Sequence, residues 1–241
     1  MGFYIVNNYS IFVTGTDTNV GKTLVSCMIL RSFYLHGYSV VGYKPVASGC
    51  YKDIGMIKSK DAELLIENSS IKLDYTLVNP ISFLHSTSPD IASKISGKKI
   101  SLKKITDGLN NLKKLADIIV IEGAGGWHTP LSSKKMFSDW VKSQNLLIVL
   151  VVAIKLGCIN HAILTVESIK NRNLSCVGWV ANKISEDFKY YEKYLETLEK
   201  KLQIPYFGDI PFIKNLKINN IEKFINLKMF FEKFINNFNK F

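Results

Sequence analysis

Gly15-Thr16-Asp17-Thr18-Asn19-Val20-Gly21-Lys22-Thr23 contains the residue types that hold a polyphosphate. Backbone N–H groups in a glycine-rich turn, and at the start of the helix after it, point at an anion where the helix dipole favours negative charge. Lys22 is placed to reach the β- and γ-phosphates, and the Thr23 hydroxyl to hold Mg²⁺. The strict spacing would put the first glycine at position 16, where the chain has Thr16; Gly15 stands one place earlier. The flanks agree with the motif. Ile11, Phe12 and Val13 read as a strand before the turn, and Leu24, Cys27, Met28 and Leu30 recur at helical spacing after it.

Two more charged positions fit the same chemistry. The run Asp117 to Ile121 reads as a fully buried strand that ends in Glu122, followed by Gly123-Ala124-Gly125-Gly126. An acid in that place suits a carboxylate that holds Mg²⁺ directly or through water; the alternative is an acid that caps the next turn. Lys44 follows the apolar stretch Ser39 to Tyr43 and precedes Pro45. In an open α/β sheet the C-terminal ends of strands are where ligands bind, so Lys44 is either a ligand contact or a solvated loop lysine. His36, His85, His128 and His161 form no spaced ligand set, and Trp127, Trp140 and Trp179 read as packing residues. The chemistry available runs through phosphates, metal and lysines.

The elements that must position these residues alternate along the chain. A helix from Lys22 ends near His36-Gly37. A stretch over residues 51 to 100 has little periodicity beyond a short helix, Asp61 to Glu67, and a helix start at Ser88-Pro89. Ser101 to Ala116 reads as a helix with one basic face, Leu146 to Ala153 as a central strand, and the chain from Lys155 to Lys170 as a turn and helix. Cys176 to Ala181 is a strand ending at Asn182, Phe188 to Leu202 a helix, Ile204 to Phe207 a short strand, Gly208 to Pro211 a turn, and Phe224 to Phe238 an aromatic-rich helix. Strands alternating with helices predict a doubly wound, mostly parallel α/β sheet flanked by helices.

Composition narrows the class. The 241 residues, 47% of them hydrophobic, suit one α/β domain over residues 1–241. The longest apolar run, Leu146 to Ile154, is too short to span a bilayer, and residues 1–10 lack the pattern of a secretory signal. Cys27, Cys50, Cys158 and Cys176 show no metal-ligand spacing and suit a reducing cytoplasm. The net charge of +11 is spread among Asn and Ile rather than gathered in a basic block, so the expectation is neither nucleic-acid nor membrane binding.

Several blocks go beyond a phosphate loop: Tyr43-Lys44-Pro45-Val46-Ala47-Ser48-Gly49, Val78-Asn79-Pro80, Thr87-Ser88-Pro89, and Glu122 through Trp127. Others are Lys155-Leu156-Gly157-Cys158-Ile159-Asn160-His161, Trp179-Val180-Ala181-Asn182 and Gly208-Asp209-Ile210-Pro211. Taken in order over residues 10 to 215, they resemble the dethiobiotin synthetase family, ATP-dependent enzymes with a P-loop NTPase fold. The resemblance implies that one amine of 7,8-diaminononanoate captures CO₂ as a carbamate, which ATP phosphorylates; the second amine then closes a cyclic urea.

The same resemblance implies roles for residues. Lys22 and Lys44 would flank the γ-phosphate and the carbamate, with Thr18 and Ser48 positioning the diamine. Mg²⁺ would sit among Thr23, Asp61 and Glu122. Nucleotide contacts would come from Asn19, Val20, Gly21, Lys22, Thr23, Leu24, Asp61, Glu122, Gly123, Ala124 and Gly125, with Asn182, Pro211, Phe212 and Ile213 around the adenine. Gly157, Cys158, Ile159, Asn160 and Tyr194 would hold the substrate carboxylate across a homodimer interface. The chain departs from the family pattern at Asn19 and Lys183, where family members often carry acids, and no match extends past residue 215. A ParA/MinD-like switch is the alternative, but Thr16 stands where such proteins usually have a signature lysine. A cobyrinate-type amide synthetase would need a further glutaminase domain.

Overall fold

Successive residues of the first strand enter different cores: Ile11 and Val13 join one apolar cluster and Phe12 another on the opposite face. That alternation with both faces buried requires a sheet covered on two sides. The computed structural model describes residues 8–214 and 221–230.

The strands are β1 (Tyr9–Gly15), β2 (Val40–Tyr43), β3 (Val46–Ala47), β4 (Tyr51–Asp53), β5 (Met56–Lys58), β6 (Ile81–Ser82), β7 (Ile118–Glu122), β8 (Leu147–Ala153), β9 (Cys176–Asn182) and β10 (Tyr206–Ile210). The helices are α1 (Lys22–Leu35), α2 (Lys60–Glu67), α3 (Tyr75–Val78), α4 (Pro89–Ile95), α5 (Leu102–Leu112), α6 (Phe137–Ser143), α7 (Cys158–Asn171), α8 (Tyr191–Leu202) and α9 (Lys228–Phe230), with a 3-10 turn at Ile221–Phe224. Six strands form one sheet in the order β10-β9-β8-β1-β7-β2, every adjacent pair parallel. The chain leaves β1 toward β2 and β7 on one side and later continues to β8, β9 and β10 on the other. The C-terminal end of β1 is therefore a topological switch point, where a crevice opens.

The excursion between β2 and β7 has more structure than its weak periodicity indicates. β4 and β5 form an antiparallel hairpin, closed by Ile54 and Gly55 at φ 41° and 77°. Such a two-residue turn normally carries Asn or Asp before Gly, so the isoleucine, 97% exposed, hid the hairpin. The short α3 and α6 were not anticipated; α6 is fastened where Asp139 Oδ2 accepts the Met136 N–H at 2.8 Å. The edge of β2 is closed by side chains, since Val40 and Gly42 donate their N–H groups to the hydroxyls of Ser70 and Ser69.

Several boundaries differ from those expected from the sequence. α8 begins at Tyr191 rather than Phe188, and α5 ends at Leu112 before Ala116. Gly208 to Ile210 continues β10 instead of turning, because Asp209 and Ile210 pair with Ala181 and Asn182 of β9. At the C-terminus, the expected helix from Phe224 is broken within the described residues. Ile221–Phe224 is a 3-10 turn and Lys228–Phe230 a single short helical turn, while residues 231–238 of that expectation lie outside the described residues. The three tryptophans pack as expected, none more than 4% exposed.

Gly42 links this packing to the charged residues. A Cβ built on it would lie 2.6 Å from Leu65 Cβ of α2, the helix that begins beside Asp61. Gly42→Ala should therefore push α2 off β2 and lower unfolding stability by roughly 1–3 kcal/mol, the usual range for overpacking. Denaturant titration measures this, and an unchanged midpoint would show that α2 yields without cost.

Candidate active site

The turn after β1 depends on close approach. A Cβ on Gly15 would lie 2.4 Å from Val20 Cγ2, so the glycine one place early does the work expected at position 16. Asn19 and Gly21 adopt positive φ, 57° and 99°, and turn the loop back onto the N-terminus of α1. Asp17 braces it: its Oδ1 accepts the Thr18 N–H at 2.7 Å, and its Oδ2 meets Lys155 Nζ at 3.2 Å. Lys22 is buried, its Nζ donating to the Asp17 carbonyl at 2.8 Å. Burial, with Lys44 nearby, lowers its pKa to about 8.

Lys44 is 3% exposed, which excludes the solvated-loop reading. Its backbone is clamped: Lys44 N donates to Val78 O at 2.8 Å, and Asn79 Nδ2 donates to Lys44 O at 2.6 Å. Tyr75 and Ser82 hydroxyls both donate to Asn79 Oδ1 and fix that amide. The Lys44 ammonium lies 2.6 Å from Glu122 Oε1 and 2.8 Å from Asp61 Oδ2, and donates to Gly123 O at 3.2 Å. Burial pulls its pKa down, but Glu122 and Asp61 outweigh that and raise it to about 12. Burial likewise lifts the Glu122 carboxyl above the usual range, against the pull of Lys44. Asp61 is lowered; burial opposes the shift, and Lys44 overcomes it.

A metal ion fits here chemically. Thr23 Oγ1 donates to Glu122 Oε1 at 2.9 Å, and Glu122 Oε2 is buried with no partner. An orphaned carboxylate oxygen beside a hydroxyl and a second carboxylate is an all-oxygen donor set of the kind Mg²⁺ takes. Among the described residues no cluster of three or more His, Cys, Asp or Glu side chains could hold a metal alone. Phosphate and water oxygens would have to complete the shell.

Two cavities meet at Gly21 and Thr23. A polar one of about 690 Å³ is lined by Thr18, Asn19, Lys22, Lys44, Ser48, Asp61, Glu122, Ala124 and Gly125, all expected from the sequence. Thr87 and Gly126, from two of the motif blocks, also line it; Ser86 and Thr129 line it with no sequence signal pointing to them. Ser88 of the Thr87-Ser88-Pro89 block, the expected helix cap, lines it as well; no hydrogen bond from its side chain caps α4. The second cavity, about 400 Å³ and almost wholly apolar, gathers Leu24, Asn182 and Pro211 to Ile213 as expected, together with Cys27, Leu64, Lys183, Ile184, Ile210 and Ile221. Asn182 ties the apolar cavity to the phosphate loop, since its Nδ2 donates to Val20 O at 2.9 Å. Val20 and Gly123 support the site through backbone, through that bond and the one from Lys44. Gly157, Cys158, Ile159, Asn160 and Tyr194 line neither cavity; Ile159 and Tyr194 pack in the α7–α8 cluster instead.

A parallel sheet with a phosphate loop at its switch point, a buried acid at the end of the neighbouring strand and an apolar pocket alongside define a P-loop nucleotide-binding protein. Residues 9–219 match the family described as an AAA domain. Among solved structures, a ParA family ATPase from Chlorobium tepidum TLS superposes with TM-score 0.50 at 17% identity, covering 86% of each chain. MinD from Aquifex aeolicus gives 0.52 at 15% identity, covering 93% of this chain and 90% of that one. Those likenesses concern the fold. The ATP-dependent dethiobiotin synthetase of Buchnera aphidicola (strain APS) is 45% identical over 90% of this chain and 97% of its own length. That of Baumannia cicadellinicola is 44% identical over 90% and 96%, and that of Escherichia coli O157:H7 44% over 90% and 97%. This chain belongs to the dethiobiotin synthetase family.

The Lys44–Glu122 contact sets a stability test. Without added divalent cation, Lys44→Met should lose about 3–5 kcal/mol at neutral pH, because it strands a buried carboxylate. A carboxyl whose folded pKa is raised binds more protons folded than unfolded, so this variant's stability should fall as pH rises from about 4.5 and recover on acidification. Adding Glu122→Gln should restore much of the loss. Strictly additive effects in the double-mutant cycle would mean that the two groups are not coupled.

Proposed function

We propose that this chain closes 7,8-diaminononanoate and CO₂ into dethiobiotin, using ATP and releasing ADP and phosphate. The observation that carries the reading is a polar chamber lined by two buried lysines, adjoined at Gly21 and Thr23 by an apolar pocket large enough for a nucleobase. Identities of 44–45% to dethiobiotin synthetases over 90% of the chain support it. Thr23, Asp61 and Glu122 would hold Mg²⁺, which when bound supplies charge neutralisation at the phosphates.

The chemistry asks mostly for alignment and charge. An amine of the substrate adds to CO₂ and loses a proton to solvent, giving a carbamate whose oxygen takes the γ-phosphoryl group as ADP leaves. Lys44 and Lys22 lie where they neutralise the carbamate oxygen and the γ-phosphate as they approach. Lys22 exchanges its bond to the Asp17 carbonyl for the phosphate. Lys44, held at its backbone by Asn79, presents an ammonium kept charged by its two carboxylates. Thr18 and Ser48 orient the diamine so that its second amine attacks the activated carbonyl and phosphate departs. Leu24, Asn182, Pro211, Phe212 and Ile213 receive the base; with Asn182 Nδ2 committed to Val20, its Oδ1 remains to accept from an exocyclic amine.

The substrate's carboxylate lies at the end of a long aliphatic chain and needs a distant anion site. The N-terminus of α7 at Gly157 to Asn160, with the Tyr194 hydroxyl, supplies donors outside this chain's own chamber, so a second copy would complete the site across a two-fold interface. Exposed Leu156, Leu164 and Tyr190 give that α7–α8 face an apolar surface for such a copy. No described helix is long and apolar enough to cross a membrane, and four free cysteines suit the cytoplasm.

ATP turnover should require both the diamine and bicarbonate, with one phosphate released per cyclic urea formed. Turnover that responds instead to a protein or lipid surface would favour the switch reading. The shared site makes a separate prediction: Lys22→Ala chains and Asn160→Ala/Tyr194→Phe chains should each be poor alone and regain activity when mixed. Heterodimers that form without recovery would place the whole site in one subunit.

A further inference from the structure

One wall of the apolar cavity is built by chain that no motif marks. Ile221 opens the 3-10 turn and lines the cavity beside Cys27, Leu64 and Ile210, and it is 2% exposed. The segment it begins is fastened at several points. Arg31 Nε of α1 donates to Glu222 Oε2 at 2.9 Å, with the two side chains 34% and 16% exposed. Asn226 N donates to Phe207 O of β10 at 2.6 Å. The Phe230 ring meets Phe33 of α1 edge-on at 5.5 Å between centroids. Ile225, Leu227 and Phe230 join the apolar cluster of α1.

Gly208 makes this approach possible. It sits at φ 128° where β10 loses regular register, and a Cβ there would lie 2.4 Å from Phe224 O. The backbone of the segment thus crosses the outer strand at a position where a side chain would block it. The stretch that begins with Ile221 is fixed to α1 near both ends, through Glu222 and Phe230, and to β10 between them, through Asn226.

We infer that Ile221 is a wall of the nucleotide-base cavity that contacts the base, held there by the pinned stretch 221–230, with the Arg31–Glu222 pair positioning it. The inference rests on the reading that the base of ATP occupies this cavity. An apolar wall contributes to binding of a nucleotide but not to binding of its phosphates, which sit on the loop from Thr16 to Thr23. ATP and inorganic triphosphate, each with Mg²⁺, therefore separate the two contributions.

Calorimetric titration of the full chain with both ligands tests it. Ile221→Trp, which fills the cavity, should weaken ATP about tenfold and leave triphosphate unchanged. Ile221→Ala and Glu222→Gln should weaken ATP several-fold, again without effect on triphosphate. Triphosphate binding also reports that each variant is folded, and Ile221→Ala serves if the tryptophan is not accommodated. Phe212→Ala, on another wall of the cavity, separates the two ways to fail. If it weakens ATP alone while the Ile221 and Glu222 variants bind ATP normally, the wall is wrong and the base site stands. If none of these variants separates ATP from triphosphate, the base lies elsewhere and both ideas fall. Equal losses for both ligands would mean that the segment serves only the fold, which also overturns the inference.

Discussion

A lysine ammonium buried between two carboxylates is the interaction on which the rest of the site depends. Lys44, Asp61 and Glu122 come from the ends of β2, α2 and β7, and Thr23 of α1 reaches the same carboxylate. Removing such charges from water is expensive, and mutual attraction offsets that only when geometry is tight and the remaining polar atoms are met. Here most of them are met; Glu122 Oε2 is the exception. A fold that tolerates an orphaned carboxylate oxygen at its ligand crevice holds an acceptor in reserve, and that is the chemical argument for a cation there.

The cluster also explains why so much structure serves one lysine. Lys44 follows a strand and precedes a proline, a place where the chain would ordinarily loosen. Asn79 takes its carbonyl, Val78 its N–H, and Tyr75 and Ser82 orient Asn79 in turn. The irregular excursion between β2 and β7 is therefore a brace. From three separate points along the chain it returns Asp61 and the Ser86 to Ser88 hydroxyls to the crevice, and Asn79 to the Lys44 backbone.

Division of the crevice follows from polarity. On one side of the phosphate loop the lining is hydroxyl, ammonium and carboxylate; on the other it is aliphatic and aromatic. Gly21 and Thr23 stand at the join, and Asn182 ties the loop to the end of β9. On the proposed reading, binding energy from a base on the apolar side would align the phosphates on the polar side, where charge must be placed accurately for transfer.

Local physical chemistry made much of this legible in the sequence. Gly-Lys-Thr after an apolar run and before helical spacing specified the phosphate loop, because backbone donors, a lysine and a hydroxyl at those intervals have few other uses. An acid at the end of a buried strand marked Glu122, and alternation of strands with helices implied a parallel sheet. Motif blocks in order placed most of the residues found around both cavities. Contacts between distant segments could not be read that way. The burial of Lys44, the service of Gly15 in place of residue 16, the hairpin turned by Ile54-Gly55 and the cavity wall at Ile221 each depend on close approach of chain far apart in sequence. Side-chain spacing records what a segment can do with itself. Which carboxylates share a lysine, and which backbone crosses Gly208, was decided only when the sheet brought those segments together.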